Sequence, residues 1–202
     1  MPQKDNSTLR AKVALRSHVR LAGGGVPFVM ETHAGLGAVF ERSWVGCRGI
    51  AIEKDPGRCE HLVRQRPEWA VYCGDSSKAL AAGLGRWQAV DVLDVDPYGD
   101  PWPTIAGFFA ATERCFTHTM QVVVNDGLRN KTRMRGAWAT GSLERAVSRH
   151  GNNLFPIYIE VCRELMESAV AVAGYALESF QGYYCGHGDD MTHYWARLRR
   201  NA

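Results

Sequence analysis

Val90-Asp91-Val92-Leu93-Asp94-Val95-Asp96-Pro97-Tyr98-Gly99-Asp100-Pro101 is the stretch that decides the fold. Its Val-rich first half reads as a strand buried on both faces, and Pro97 ends it. Carboxylates, a ring and a glycine then crowd the strand's carboxyl end. That edge is where open α/β sheets bind ligands. Asp94 and Asp96 are two residues apart and point to the same side of the strand. An acid followed by Pro and an aromatic suits one task. The carboxylate and a nearby backbone carbonyl can accept both hydrogens of an amino group, while the ring stacks on the flat system carrying it.

Outward from this strand, the chain alternates. A helix is predicted over 7–22, capped by Asn6 or Ser7 and ended by Gly23-Gly24-Gly25. Strands are predicted over 26–32, 49–53, 70–73, 89–95 and 120–125. Between them fall helices over 35–41, 55–65, 76–82 and 103–112, the second with Pro56 at its first position. The segment 128–153 is polar and basic, with one helix around 143–149. A long apolar helix follows over 156–174, then strands over 177–185 and 192–198 joined by Gly186-His187-Gly188-Asp189-Asp190. The pattern argues for an α/β fold: a seven-stranded, mostly parallel sheet, helices on both faces, and a C-terminal antiparallel hairpin.

A chain of 202 residues fits one domain, 1–202, with 1–25 as an N-terminal helical extension and 128–153 as a basic insertion beside the site. Six scattered cysteines without a C-x-x-C pair suggest reduced thiols. The start of the chain has no apolar signal core, and no apolar run reaches the roughly 18 residues of a membrane span. A cytoplasmic protein with no membrane partner is expected. The net charge of +3 neither demands nor excludes nucleic acid.

Glu31-Thr32-His33-Ala34-Gly35-Leu36-Gly37 joins the first strand to its helix. Glycines there let the backbone turn tightly and approach a ligand. The G-x-G-x-x-G dinucleotide fingerprint is absent. The E-x-x-x-G-x-G spacing instead resembles the first motif of S-adenosylmethionine (SAM) methyltransferases. That resemblance implies Glu31 near the methionine amino group, with His33, Ala34, Gly35 and Gly37 lining the cofactor. Glu53, with Lys54 after it, ends the second strand as a ribose-binding acid should, since a carboxylate accepts from two vicinal hydroxyls. Asp75, followed by Ser76, ends the third; in this family it faces the adenine amine. Glu53 and Asp75 also precede helices and could be caps. Acids at three successive strand ends, with Asp96 at the fourth, are harder to explain by capping. The element order likewise resembles the class I, Rossmann-like methyltransferase sheet, so SAM is the expected cofactor.

Asp94-Val95-Asp96-Pro97-Tyr98-Gly99-Asp100-Pro101 departs from the [DNS]-P-P-[YFW] of adenine and cytosine amine methyltransferases, having one Pro. It resembles the D-x-D-P-[FY]-G-[ST]-P motif of the tRNA guanine-N2 dimethyltransferase family, with Asp100 in place of the small hydroxyl residue. The resemblance implies Asp96, Pro97 and Tyr98 as the amine-handling residues. Asp94 would orient the amine or face the SAM sulfonium. That family also carries a substantial carboxyl-terminal domain without a counterpart in these residues.

Arg129, Lys131, Arg133 and Arg135 alternate with neutral residues beside this edge, as a loop tracking phosphates would. Trp102 and Trp138 are candidate stacking residues, or half-buried core aromatics. Lys12, Arg16 and Arg20 form a helical stripe, read as a solvated face, with a second phosphate contact as the alternative. Cys185, His187 and His193 lack zinc spacing and read as turn and strand residues; no metal is expected. Together these features point to a SAM-dependent N-methyltransferase acting on an exocyclic amine of a nucleic-acid base, guanine N2 in tRNA-like RNA. The alternatives are a DNA or small-molecule N-methyltransferase on the same fold, or a non-catalytic SAM-binding accessory subunit.

Overall fold

The computed structural model describes residues 8–111, 113–133 and 141–201. α1 (Leu9–Ala22) leads into β1 (Phe28–Thr32), α2 (Phe40–Ser43), β2 (Arg48–Glu53), α3 (Pro56–Gln65), β3 (Ala70–Cys73) and α4 (Ser76–Ala81). β4 (Val92–Val95), α5 (Trp102–Ala110), β5 (Thr119–Asp126), α6 (Glu144–His150), α7 (Tyr158–Ala171), β6 (Tyr175–Cys185) and β7 (Met191–Arg200) follow. The strands form one sheet in the order β3-β2-β1-β4-β5-β7-β6. β1 to β5 are parallel, and β7 runs antiparallel to both its neighbours. This is the seven-stranded sheet with a C-terminal hairpin that the alternation predicts.

Local chemistry sets the boundaries. Asp55 caps α3 by accepting the Arg58 N–H at 2.9 Å, with Pro56 inside the first turn. The helix expected over 35–41 shortens to the single turn of α2, because Gly35 and Gly37 take left-handed φ of 60° and 82°. β4 begins after Asp91, whose carboxylate accepts the Phe28 N–H at 2.8 Å and ties the starts of β1 and β4 together.

Two apolar layers flank the sheet. On one face α1, α2 and α3 bury Leu15, Val19, Trp44 and Leu62 against Val29, Val123 and Trp195. The larger layer sets Phe108 of α5 and Tyr158, Val161 and Met166 of α7 against Met30, Leu93 and Val122. Gly107 lets α5 approach α4, since a Cβ there would lie 2.8 Å from the Ser77 carbonyl.

A buried carboxyl sits in the larger layer. Asp126 accepts the Leu128 N–H at 2.7 Å and the Tyr158 hydroxyl at 3.0 Å. Burial pushes it up from 3.8 to about 7. The native state therefore keeps a proton that the unfolded chain releases. This contribution to stability is complete below 3.8 and is lost as pH rises through about 7. Asp126→Asn should flatten that part of the stability–pH curve, where one retained proton gives a slope of at most roughly 1.4 kcal/mol per pH step of one. Urea unfolding of both proteins across this range checks it; parallel curves would show that Asp126 titrates normally.

Candidate functional site

The strand order reverses between β1 and β4, so a crevice opens at their carboxyl ends. On the α1 face, backbone register lines up a row of polar side chains. Glu31 of β1 pairs in register with Asp94 of β4, and Asn125 of β5 with His193 of β7, which in turn pairs with Tyr183 of β6. These are the positions an apolar layer would otherwise fill, and each acid here meets a cation.

Three basic residues, two of them from α1, neutralise the row. Arg16 is fully buried and grips Asp94 with two nitrogens, Nε to Oδ2 at 2.7 Å and a second, short contact to Oδ1. Trp44 Nε1 donates to the same Oδ2 at 2.7 Å. Arg66 pairs with Glu31 while its guanidinium lies 3.8 Å over the Phe40 ring. Burial still pushes the Glu31 carboxyl up to about 7 against that pairing. Lys12 Nζ donates to both oxygens of Asp96, at 2.7 and 2.8 Å, with each side chain 19% exposed. Burial would raise the Asp96 carboxyl, but Lys12 and Arg16 outweigh it and hold it below its usual value.

The stripe read as solvated is therefore built into the site. Arg16 and Lys12 bind the two acids of Asp94-Val95-Asp96, and Arg20 donates to the carbonyls of Ser43 and Val45 at 3.2 Å. Their i, i+4 spacing was visible; the acids they meet, 78 and 84 residues away, were not. Asp94 and Glu31 are thus buried, cation-paired groups. Neither carboxylate opens onto the crevice.

Beside the row sits the glycine turn. Gly37 N–H donates to the Ala34 carbonyl at 3.1 Å, and His33 takes a φ of 59° with its Nδ1 3.1 Å from Thr32 Oγ1. Burial lowers the His33 pKa and favours its neutral ring. A side chain at Gly37 would be strained by its φ of 82°, and its Cβ would push aside the amide end of Gln65, 2.1 Å away. Glu53 is buried and binds the turn from the next strand, Oε2 accepting the Gly35 N–H at 2.8 Å. Its Oε1 accepts the N–H groups of Lys54 and Asp55. Glu53 is no helix cap; Asp55 is. Asp75 does cap α4, accepting the Lys78 N–H at 3.0 Å, yet stays exposed. Lys54 is exposed and Ser76 buried.

After β4, Pro97 is buried and Tyr98 is 79% exposed. Asp100 Oδ1 accepts the Trp102 N–H at 2.9 Å, and its Oδ2 accepts from Ser142 at 3.0 Å. The acid that replaces the motif's hydroxyl residue thus starts α5 and anchors the segment after β5. Trp102 is a core residue, buried and stacked on Tyr194 at 6.0 Å, which removes it from the stacking candidates.

Arg129 is likewise corrected. It is buried, its guanidinium 3.7 Å over Phe155 and 3.4 Å over Tyr184, donating to the carbonyls of Phe155 and Asp189. A cation so enclosed does not reach a phosphate. Lys131 is exposed on the same 3₁₀ turn, Arg129–Arg133. Arg135 and Trp138 lie outside the described residues. Cys185 ends β6, His187 sits in the hairpin turn, and His193 is buried in β7. A cavity of about 230 Å³ lined by Gly23, Val26, Asp91 and Arg197 lies at the opposite edge of the sheet, away from all these acids.

Lys12, Arg16, Asn125 and His193 are the site residues that sequence reasoning missed. For Asn125 the signal was a polar residue closing an otherwise apolar strand, whereas His193 lies near the start of β7, between Thr192 and Tyr194.

No protein-family model matches the chain, and no curated protein matches its sequence. Solved structures do match its fold. Trm1 from Pyrococcus horikoshii in complex with S-adenosyl-L-methionine superposes with a TM-score of 0.64 at 13% identity, over 96% of this chain and 56% of that one. M. jannaschii TYW2 in complex with AdoMet gives 0.60 at 12% identity, over 100% of this chain and 79% of its own. The N-methyltransferase NodS from Bradyrhizobium japonicum WM9 gives 0.57 at 13%, over 99% and 100%. The chain has a Rossmann-like methyltransferase fold.

Proposed function

We propose that this chain is a SAM-dependent N-methyltransferase acting on an exocyclic amine of a nucleic-acid base, guanine N2 in RNA. One observation carries the reading: Asp96, at the carboxyl end of β4, holds an N–H donor on both carboxylate oxygens beside an exposed Tyr98. The donor is the Lys12 ammonium, and an arylamine offers hydrogens of the same kind.

The residues fit SAM. The turn at 33–37 is held open by left-handed backbone and bounded by a buried acid. Glu53 has three N–H partners for about four lone-pair sites, which leaves room for a ribose hydroxyl. Asp75 is capped on one oxygen and exposed toward solvent. When bound, SAM supplies an electrophilic methyl group on a sulfonium. His33, Ala34, Gly35, Gly37, Glu53, Asp75 and Ser76 would hold it; Glu31, tied to Arg66, supports the turn from beneath.

An exocyclic amine is a poor nucleophile because its lone pair is delocalised into the ring. Hydrogen bonds to Asp96 and the Pro97 carbonyl favour a more tetrahedral nitrogen and stabilise its developing positive charge. Tyr98 offers a stacking face for the base. An amine methylated here would have to lose a proton. Asp96, held ionised by its cations, acts as acceptor of hydrogen bonds, and the proton passes to solvent.

Incubation with tritium-labelled SAM and bulk RNA, bulk DNA or mononucleotides, followed by nucleoside analysis, tests the assignment. Label in N2-methylguanosine supports it. Label in DNA or mononucleotides alone would point to the alternative enzyme readings, and SAM binding without transfer to the accessory one. Glu53→Ala should weaken SAM binding by about 1–3 kcal/mol, as for hydrogen bonds to a charged group. Calorimetry measures this, and unchanged affinity would remove Glu53 from the site.

A further inference from the structure

Two thiols meet beside the acids assigned to the cofactor. Cys73 ends β3 and pairs in register with Glu53 at the end of β2. Val71, two residues earlier, packs into the apolar layer that holds Leu62 of α3, so Cys73 points to that same face of the strand. Cys59 lies in the first turn of α3, its N–H donating to the Asp55 carbonyl at 2.9 Å. Its thiol donates to the Glu53 carbonyl at 3.1 Å, and the Gly74 N–H meets the same oxygen at 2.8 Å. The Cys59 and Cys73 thiols are hydrogen-bond neighbours. Burial, with that contact, pushes the Cys59 thiol up to about 12.

The two sulfurs differ as a sensing pair requires. Cys73 is exposed and open to an oxidant, while Cys59 is buried and faces it from another element, as a resolving thiol does. Their contact also bridges two functional positions. The Glu53 carboxylate binds the glycine turn through the Gly35 N–H, and Asp75 follows Cys73 by one intervening glycine. We infer that Cys59 and Cys73 form a redox-modification site: a hydroperoxide converts them to a disulfide, and the closed bond weakens SAM binding. The inference rests on the reading of Glu53 and Asp75 as cofactor residues.

The chemistry balances without any other reactant. The exposed Cys73 sulfur, once deprotonated, attacks a peroxide oxygen. The O–O bond breaks, the leaving oxygen takes up that proton, and Cys73 becomes a sulfenic acid. The Cys59 sulfur then attacks the Cys73 sulfur. The S–O bond breaks, and hydroxide leaves with the Cys59 proton as water. Two thiols and one hydrogen peroxide give one disulfide and two waters, with two electrons passing from sulfur to oxygen. The product has no S–H, so the Glu53 carbonyl loses the Cys59 donor. Bonding two sulfurs that now only touch also draws the end of β3 toward the first turn of α3. A nucleoside needs both acids at one separation, and this movement changes the place of Asp75 relative to Glu53.

The test uses the full-length protein, fully reduced and then treated with hydrogen peroxide, blocked with N-ethylmaleimide and mapped by mass spectrometry. A cross-linked peptide joining Cys59 to Cys73 is expected. S-adenosylhomocysteine, titrated by calorimetry, should bind the oxidised protein about tenfold more weakly, the worth of one hydrogen bond, and a thiol reductant should restore the affinity. By linkage, saturating S-adenosylhomocysteine should make the disulfide easier to reduce by the same factor, about 30 mV in a glutathione titration. Cys73→Ser should bind as the reduced wild type does and no longer respond to peroxide. Cys115→Ser, at the other exposed thiol, should behave as wild type. Sulfurs that peroxide leaves without a cross-link, equal affinity in the two states, or a Cys73→Ser protein that still loses affinity would each overturn the inference. A reduced protein that does not bind S-adenosylhomocysteine would sink the cofactor reading and this inference with it, whereas equal affinity in the two states sinks the inference alone.

Discussion

Asp96→Ala is expected to lower kcat/KM for methyl transfer at least about a hundredfold, the scale of losing one preorganised transition-state hydrogen bond. The substitution removes the acceptor at the end of β4 and leaves the glycine turn, Glu53 and Asp75 untouched. SAM affinity should therefore change little. Stability should fall only modestly, since the stranded Lys12 ammonium is partly exposed and can turn to water. Asp96→Asn should lose less activity, because its amide oxygen still accepts one hydrogen bond. Its NH₂ group would also face Lys12 Nζ in place of an oxygen, loosening the contact a substrate amine has to replace. Single-turnover kinetics with both variants, beside thermal melts and SAM titrations, separate these effects. An Asp96→Ala protein that transfers methyl groups at the wild-type rate removes Asp96 from the chemistry.

What was legible in the sequence was whatever local pattern dictates. Ala70–Cys73 is predicted and observed with the same bounds, and the other strands shift by a few residues at their ends. Acid-bearing strand ends mark the crevice because the chain must turn there, and Asp-Pro-Tyr-Gly stops β4 by the chemistry of proline. Long-range pairing stayed hidden. Lys12 and Arg16 look like a solvated stripe until the sheet brings Asp96 and Asp94 beneath them. Arg129 is misread in the opposite direction. Its basic neighbours suggest a phosphate loop, but Phe155 and Tyr184, distant in sequence, close over its guanidinium. Glu31 follows the same logic: the motif places an acid at the end of β1, and only the fold shows Arg66 already bound to it. Sequence spacing located the acids; which of them remain open to a ligand depends on cations contributed by other elements.

Arg16→Met is expected to destabilise the protein by about 3–5 kcal/mol, the range for stranding one member of a buried ion pair. Both side chains of the Arg16–Asp94 pair are wholly buried, so water cannot replace the guanidinium. Methionine fills the space of the arginine stem but leaves Asp94 with Trp44 Nε1 as its remaining side-chain donor among the described residues. The stranded carboxyl should then bind a proton in the native state more readily than in the unfolded chain. By linkage the variant's deficit should shrink as pH falls and grow as pH rises through the acid range. Adding Asp94→Asn removes the uncompensated charge while its amide oxygen can still accept from Trp44, so the double variant should recover much of the loss and its pH slope should flatten. Because Arg16 Nη1 also donates to the Lys12 carbonyl at 3.1 Å, the single variant should loosen α1 where Lys12 reaches Asp96. Hydrogen exchange across α1, read beside urea unfolding, tests both parts. A single variant as stable as wild type at neutral pH would mean that Asp94 does not depend on Arg16 for its charge. An α1 whose exchange is unchanged would mean that the helix is held by its apolar face alone.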